Sequence, residues 1–555
     1  MSRLILSTTL MILVFAFLGC KQNTGKKNKP ESKPDSIIVE KQGLVGAWYH
    51  GSDLTRIGSS MILKDLNPVW DVITGRGSGW SAQWEGFLTA PVSGDIEFYA
   101  ECDREMIVTI TGEEILHVGK ENTRNTATLR LRKGRQYHIN VKYLQNEGGT
   151  ASFNVLWSWK KKGRQPIPEE ALNFSKEQAE WWNYIEAPDP EAFDMSSLTT
   201  IPAENYIVCY ESGRFAGWPA NNGVWSWGNE ILVGFSLGYY KQDVSGGHSI
   251  RDDMPSQNVL GRSTDGGKTW TIETPDNFVN SENDKSTNYK SSPGVNFSHP
   301  GFAMRIANGR YFVSYNRGKT WEGPYSIAIN APGEKIGKLT SRTDYIILGA
   351  KECLVFMSAE TGVVEGDYQD RSFCTLTTDG GKTFKFMGWM THDTEKRSVM
   401  SSTVKISDDH LVSVMRRKHE ESFGERPSRV KNWIEAAESA DNGKTWVSLG
   451  KVADTDIMGE RNGNPPAMVR LADGRLCVAY GYREYPFGIR MKVSSDNGKT
   501  WGKEFVIRPD GATWDIGYCR MVINEDGKLV LMYYFTTEEN YEQHIAVSIV
   551  DPLVL

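Results

Sequence analysis

Ser263-Thr264-Asp265-Gly266-Gly267-Lys268-Thr269-Trp270 decides how this chain is read, because the same octet is written again and again. It returns as Thr377-Thr378-Asp379-Gly380-Gly381-Lys382-Thr383-Phe384 and as Ser439-Ala440-Asp441-Asn442-Gly443-Lys444-Thr445-Trp446. A further copy is Ser494-Ser495-Asp496-Asn497-Gly498-Lys499-Thr500-Trp501. A fifth, Ser314-Tyr315-Asn316-Arg317-Gly318-Lys319-Thr320-Trp321, has Asn in place of Asp. The central residues fall 51, 63, 62 and 55 positions apart, a period that marks an array of repeated sheets. The octet is built for a turn. Its Asp or Asn oxygen can accept bonds from turn N–H groups, its Gly takes the positive φ that other residues resist, and the closing ring folds back onto the sheet. These Asp residues are therefore expected to staple hairpins, not to catalyse.

Boxes of this kind make residues 204–555 resemble the Asp-box propellers of the sialidase superfamily. Five boxes, with a boxless last unit around Asn524-Glu525-Asp526-Gly527, imply six blades; a seventh would need a strand from the segment before them. The stretch Tyr206–Tyr210 is expected to pair with the last blade and close the ring.

Upstream, residues 43–168 alternate apolar and polar positions in short runs, as in Asp95-Ile96-Glu97-Phe98-Tyr99 and Met106-Ile107-Val108-Thr109-Ile110. That pattern predicts an antiparallel β-sandwich. Its motifs G-L-V-G-A-W-Y (43–49), A-Q-W-E-G-F-L-T-A-P-V-S-G (82–94) and L-R-K-G-R-Q-Y-H-I-N-V (131–141), with a closing W-S-W and P-I-P, resemble the protective-antigen-type domain (PA-14), a lectin-like module. The family's acidic Asp-Asp-Gly turn reads Cys102-Asp103-Arg104-Glu105 here. Residues 169–203 form a connector, with a short helix expected over 176–184. The fold class is thus all-β: a PA-14-type β-sandwich followed by a six-bladed sialidase-like β-propeller.

The N-terminus adds a cellular address. Arg3 precedes an apolar run, Leu4–Leu18, too short to span a membrane, and the run stops at Gly19-Cys20. Residues 1–19 read as a lipoprotein signal peptide, Cys20 as the lipidated residue, and 20–42 as a Lys-, Asn- and Pro-rich tether. The expected site is the cell envelope, lipid-anchored in the outer membrane on its periplasmic or outer face, with membrane contact only through that lipid. The six other cysteines show no C-x-x-C pairing, so neither a disulfide framework nor a thiolate metal site is implied. The net charge of −6 comes without a basic block, which argues against a nucleic-acid partner. No cofactor or metal is expected. The expected partner is an acidic oligo- or polysaccharide.

The sialidase resemblance implies a chemistry. Arg forks hold the substrate carboxylate. A neutral Tyr attacks, since an anionic nucleophile would be repelled, and a separate acid protonates the leaving oxygen. Tyr518, in G-Y-C-R-M-V-I-N-E-D-G-K-L-V-L-M-Y-Y, matches the nucleophile's segment. Arg490, before an Asp box, and Arg416 or Arg417 match carboxylate-binding positions; Arg214 is a displaced candidate for another, and Arg520 joins the same set. His248, Asp252 and Asp253 are candidates for the acid or base. Two departures stand out: Val399-Met400-Ser401-Ser402 lacks the Glu that activates the sialidase Tyr, and no Arg-Ile-Pro motif precedes it. Three functions remain open on these residues. They are exo-hydrolysis of a carboxylate-bearing glycan, elimination on a uronic acid with Arg, His and Tyr in the working roles, and glycan binding without catalysis. His299, Arg305, His419, Asn464, Arg483 and Asp515 are further polar residues at expected strand ends.

Overall fold

The computed structural model describes residues 41–555 apart from 55, 71–78, 120–122, 146–150, 187, 189, 243–246, 276–277, 279–288, 365–366, 458 and 460–461. Cys20 and the whole leader lie outside the described residues. Strands make up almost all of the regular structure.

Two sheets form the N-terminal sandwich. One centres on Trp80–Thr89 and Gln136–Gln145, paired in register from Trp80↔Gln145 to Thr89↔Gln136. The other centres on Gly94–Cys102 and Ala151–Trp159. Alternation along Trp80–Thr89 and Glu105–Ile110 sends Ala82, Trp84, Leu88, Met106, Val108 and Ile110 into the common core, as the period of two requires. Leu172–Phe174 still pairs with Trp80–Thr89, so the sandwich runs past the boundary expected at residue 168. Ser175 then caps the helix Lys176–Trp181 through a capping box with Gln178. In the turn that departs from the PA-14 pattern, Asp103 accepts a hydrogen bond of 3.0 Å from the Tyr143 hydroxyl. No group of three or more His, Cys, Asp or Glu able to hold a metal occurs among the described residues.

Six sheets follow in chain order, antiparallel except where Ile329–Asn330 adds a short parallel edge to the third, the strand pattern of a six-bladed propeller. Their innermost strands are Gly223–Trp227, Ala303–Ala307, Tyr345–Ile347, Arg397–Lys405, Ala467–Arg470 and Gly517–Ile523. Glu204–Cys209 adds to the outer edge of the sixth sheet by pairing with His544–Val550. No further sheet arises from the connector among the described residues.

Each Asp box is the turn between the last two strands of its sheet. Asp265 accepts bonds from the backbone N–H groups of Lys268 and Thr269 and from the Thr269 hydroxyl, and Trp270 Nε1 donates 2.9 Å back to Gly267. Burial opposes ionisation of Asp265, yet these donors outweigh it and lower its pKa to about 2. The same turn brings neighbouring sheets together. A Cβ on Gly443 of the fourth sheet would lie 2.5 Å from Cys374 Sγ of the third, and one on Gly318 2.3 Å from Leu232 of the first. Gly381 meets Tyr311 in the same way, Gly498 meets Val412, and Gly267 of the first sheet meets Val530 of the sixth, which completes the circle. Of the six cysteines among the described residues, five are buried, and all six are free thiols.

Asn316 of the fifth box still accepts a 3.0 Å bond from Thr320 N, so an amide oxygen can do much of the carboxylate's work. Asp496→Asn should therefore keep most of the stability. Asp496→Ala, which leaves turn donors without an acceptor, should cost about 1–2 kcal/mol. Chemical denaturation of the two variants beside the parent protein checks the order.

Candidate active site

At one end of the ring the inner strands and their adjoining turns enclose a cavity of about 340 Å³. Trp218 and Asn221 come from the first sheet, Asn308 from the second, Thr340 and Arg342 from the approach to the third, and Arg397, Val399, Met400 and Arg416 from the fourth. Asn462, Tyr518 and His248 complete the wall.

The backbone here is irregular. Trp218, Asn308, Met400, Asn462 and Tyr518 all hold φ between 49° and 60°. Asn tolerates the left-handed region, but a Trp, Met or Tyr there is an outlier costing about 1–3 kcal/mol, and such outliers gather where geometry matters more than comfort. Two are tied to bulges: register shifts between Val399 and Ser402 and between Gly517 and Arg520. The second is clamped by Asn464. Its fully buried amide accepts from Tyr518 N at 2.8 Å and donates to Ile516 O at 2.8 Å. Gly517, at φ 101°, is pressed so close to Asn464 that a Cβ would lie 2.4 Å from the amide nitrogen.

The electrostatics follow from what is paired. Arg397 is held by the buried Asp370 at 2.6 Å, so its charge is matched. Arg342 donates to Asn221 at 3.0 Å and Asn308 at 2.7 Å, and to backbone carbonyls, all neutral acceptors. Arg416 is buried, its Nε has no hydrogen-bond partner among the described residues, and its Nη1 lies 3.4 Å from the Tyr518 hydroxyl. Burial lowers the pKa of Arg416 from its usual value. Burial alone would raise that of Tyr518, but Arg416, Arg483 and Arg342 outweigh it and bring the phenol below its ordinary value of 10. Arg483 lies 5.4 Å from the centre of the Tyr518 ring.

His248 stands on the same cavity with a buried carboxylate behind it. Its Nδ1 is 2.7 Å from Asp515 Oδ1, which also accepts 2.6 Å from the Tyr534 hydroxyl, while Ser249 N donates to Asp515 Oδ2. Burial disfavours ionised Asp515, and His248 with Arg483 more than compensates, holding its pKa below the usual carboxylate value. A carboxylate on Nδ1 leaves Nε2 for work in the cavity. The Trp218 and Trp514 rings lie 5.3 and 5.7 Å from the imidazole.

Of the residues expected from sequence, Tyr518, His248 and Arg416 therefore share one cavity. The others stand elsewhere, each for a visible reason. Arg490 is on the third strand of its sheet, away from the axis, paired with Glu504 at 2.5 Å and stacked on Tyr482. Arg417 faces the opposite side of its strand from Arg416 and is bound by Asp393 and Glu435. Arg214 donates 2.6 Å to Gly238 O and lies over Tyr239. Asp252 is exposed beside Lys241, and Asp253 pairs with Arg251 on the surface. Arg520 lies two residues farther along the inner strand, where it donates to Ala220 O at 2.7 Å and Thr343 O at 2.9 Å. It lines a second axial cavity of about 460 Å³ with Asp344, whose pKa burial pushes up to about 6. Arg342 and Arg397 were not expected from sequence; each stands just at or before the start of an inner strand, with no motif around it.

Arg416→Ala should move the ionisation of the Tyr518 phenol to higher pH. Ultraviolet difference titration against a Tyr518→Phe background reads that step alone.

A family model of the BNR repeat-like domain matches residues 289–531, and one of the PA14 domain matches residues 74–171. Among solved structures, a protein of unknown function from Dyadobacter fermentans is 22% identical, with 63% of this chain and 98% of that one covered, at a TM-score of 0.44. The PA14 sugar-binding domain of an RTX adhesin is 13% identical, covering 24% of this chain and 100% of its own, at a TM-score of 0.21. The PA14 domain of the MpAFP antifreeze protein is 15% identical over 26% and 96%, at 0.21. A search of curated proteins finds no match. The chain thus carries a stretch that matches a PA14 domain, followed by one that matches a BNR repeat-like domain.

Proposed function

We propose that the cavity around Tyr518 is the active site of an enzyme acting on a carboxylate-bearing glycan, and that its reaction is elimination on a uronic acid. The observation that carries this is the company Tyr518 keeps: an acidified phenol, the Asp515-backed His248, and two guanidinium groups, Arg342 and Arg416, without a carboxylate partner among the described residues. The two guanidinium groups bind the uronate carboxylate and spread the negative charge that builds on it as the neighbouring carbon loses its proton. Tyr518, as the tyrosinate favoured by Arg416, takes that proton. The C–H electrons form the new double bond, the β C–O bond breaks, and His248 protonates the departing oxygen from Nε2. No water is consumed. Among the described residues lining the cavity no carboxylate is present, whereas ordinary glycoside hydrolysis uses a pair.

Hydrolysis with Tyr518 as nucleophile is the second reading, favoured by the same lowered phenol pKa, which increases the population of the attacking anion. The sandwich, as a PA14 domain, suits a role in holding glycan near the cavity. Export, with attachment through a lipid on Cys20, belongs to the same reading of a polysaccharide-degrading protein at the cell envelope.

Mass analysis of a panel of sialylated and uronic-acid oligosaccharides, before and after incubation, tests it. Elimination gives fragments whose masses sum to that of the substrate, with a new ultraviolet band. Hydrolysis adds one water and supports the second reading. Tyr518→Phe and His248→Ala should each slow the reaction at least about 100-fold. Binding without turnover of any acidic glycan would refute both readings.

A further inference from the structure

Trp218 is the most costly placement in the cavity wall. It sits at φ 60°, ψ 51°, squarely in the left-handed region, and it precedes Pro219, a position that normally drives a residue to extended backbone. Gly or Asn would take this conformation with less strain, yet the largest side chain stands here. The ring is half-buried, not sunk in the core. One side rests on Phe215, at 4.8 Å between centroids, and an edge meets His248 at 5.3 Å. The remainder lines the same cavity as Arg342 and Arg416. The surroundings hold the indole rigidly: Phe215 is fully buried and itself packs on Tyr534, and the Trp218 carbonyl accepts from Asn221 N at 3.0 Å. Asn221 in turn accepts from Arg342 Nε. The strained turn thus sets the indole and one carboxylate-binding Arg in a fixed relation.

We propose that Trp218 is the stacking platform for the sugar ring whose carboxylate Arg342 and Arg416 hold, and that it makes the site selective for acidic pyranosides over acyclic acids. A pyranose presents a face of C–H bonds, and a flat indole buries that face while leaving the hydroxyl edges to Asn308 and Asn462. Such contact is present before and during the reaction, so it strengthens binding without changing the chemical step. The inference rests on the function proposed above.

The test uses the full chain with the acidic oligosaccharide found active in the panel. Trp218→Leu should raise KM about tenfold with kcat within threefold of the parent, while Trp218→Phe, which keeps a ring, should stay within about threefold in KM. Unchanged KM in Trp218→Leu would overturn the proposal, and so would a fall in kcat alone, which would make the ring a support for His248. Should Trp218→Leu fail to fold, Trp218→Phe beside Trp218→Met decides: equal KM values for the two would overturn the proposal, and a higher KM for Met would support it. If the parent protein turns over nothing in the panel, the proposed function fails first and separately.

Discussion

The contact between each box glycine and the sheet before it governs this molecule. At Gly318 and Gly443 there is no room for even a methyl group, because a neighbouring sheet's side chain occupies the place where it would go. The box therefore has two duties in one turn. Its Asp or Asn satisfies the turn's N–H groups, and its glycine lets the next wedge close. Repeated around the circle, the contact fixes the angle between sheets and so the width of the axis. The sixth sheet has no box because it has no such turn: its outer strand comes from residues 204–209, far back in the chain. The missing copy is a mark of closure, not of decay.

Within that regular ring, the cavity is assembled from exceptions. Inner strands that ran straight through would bury their side chains between sheets. The bulges at Met400 and Tyr518, and the left-handed turns at Trp218, Asn308 and Asn462, turn side chains toward the axis instead. Closely packed sheets over-determine these local geometries, which is how a strained residue persists. Asn464 shows the cost in detail. One buried amide needs two flanking glycines, Gly481 and Gly517, to hold one tyrosine in place.

The fold was legible because its cause is local: eight consecutive residues contain the acceptor, the glycine and the ring that make a box. The site was only partly legible because its cause is the crossing of six strands. Arg416 and Arg417 are neighbours, and strand parity sends one to Tyr518 and the other to Asp393 and Glu435. Which of the two faces the cavity depends on the bulge beside them, whose register no pattern in the sequence announces. Arg490 precedes a box as expected of a carboxylate binder, but the strand before a box is not the innermost one, and its charge is spent on Glu504. Arg342 and Arg397 carry no motif at all; only the convergence of the inner strands gives them a common target. His248 was visible as a candidate, whereas its tie to Asp515, 267 positions away, was not.

The closing seam has a consequence for how the protein is made. Tyr518 stands on the innermost strand of the sheet that Glu204–Cys209 completes, and the seam bond from Ser548 to Asn205 spans 343 positions of sequence. Bringing such distant segments together is entropically expensive, so the pairing that completes the sheet bearing the phenol has the longest loop to close. During synthesis the arginines of the third and fourth sheets can be in place while Tyr518 has no finished strand behind it. A break in either seam strand would therefore disturb the sheet that carries Tyr518 without touching a single residue of the cavity.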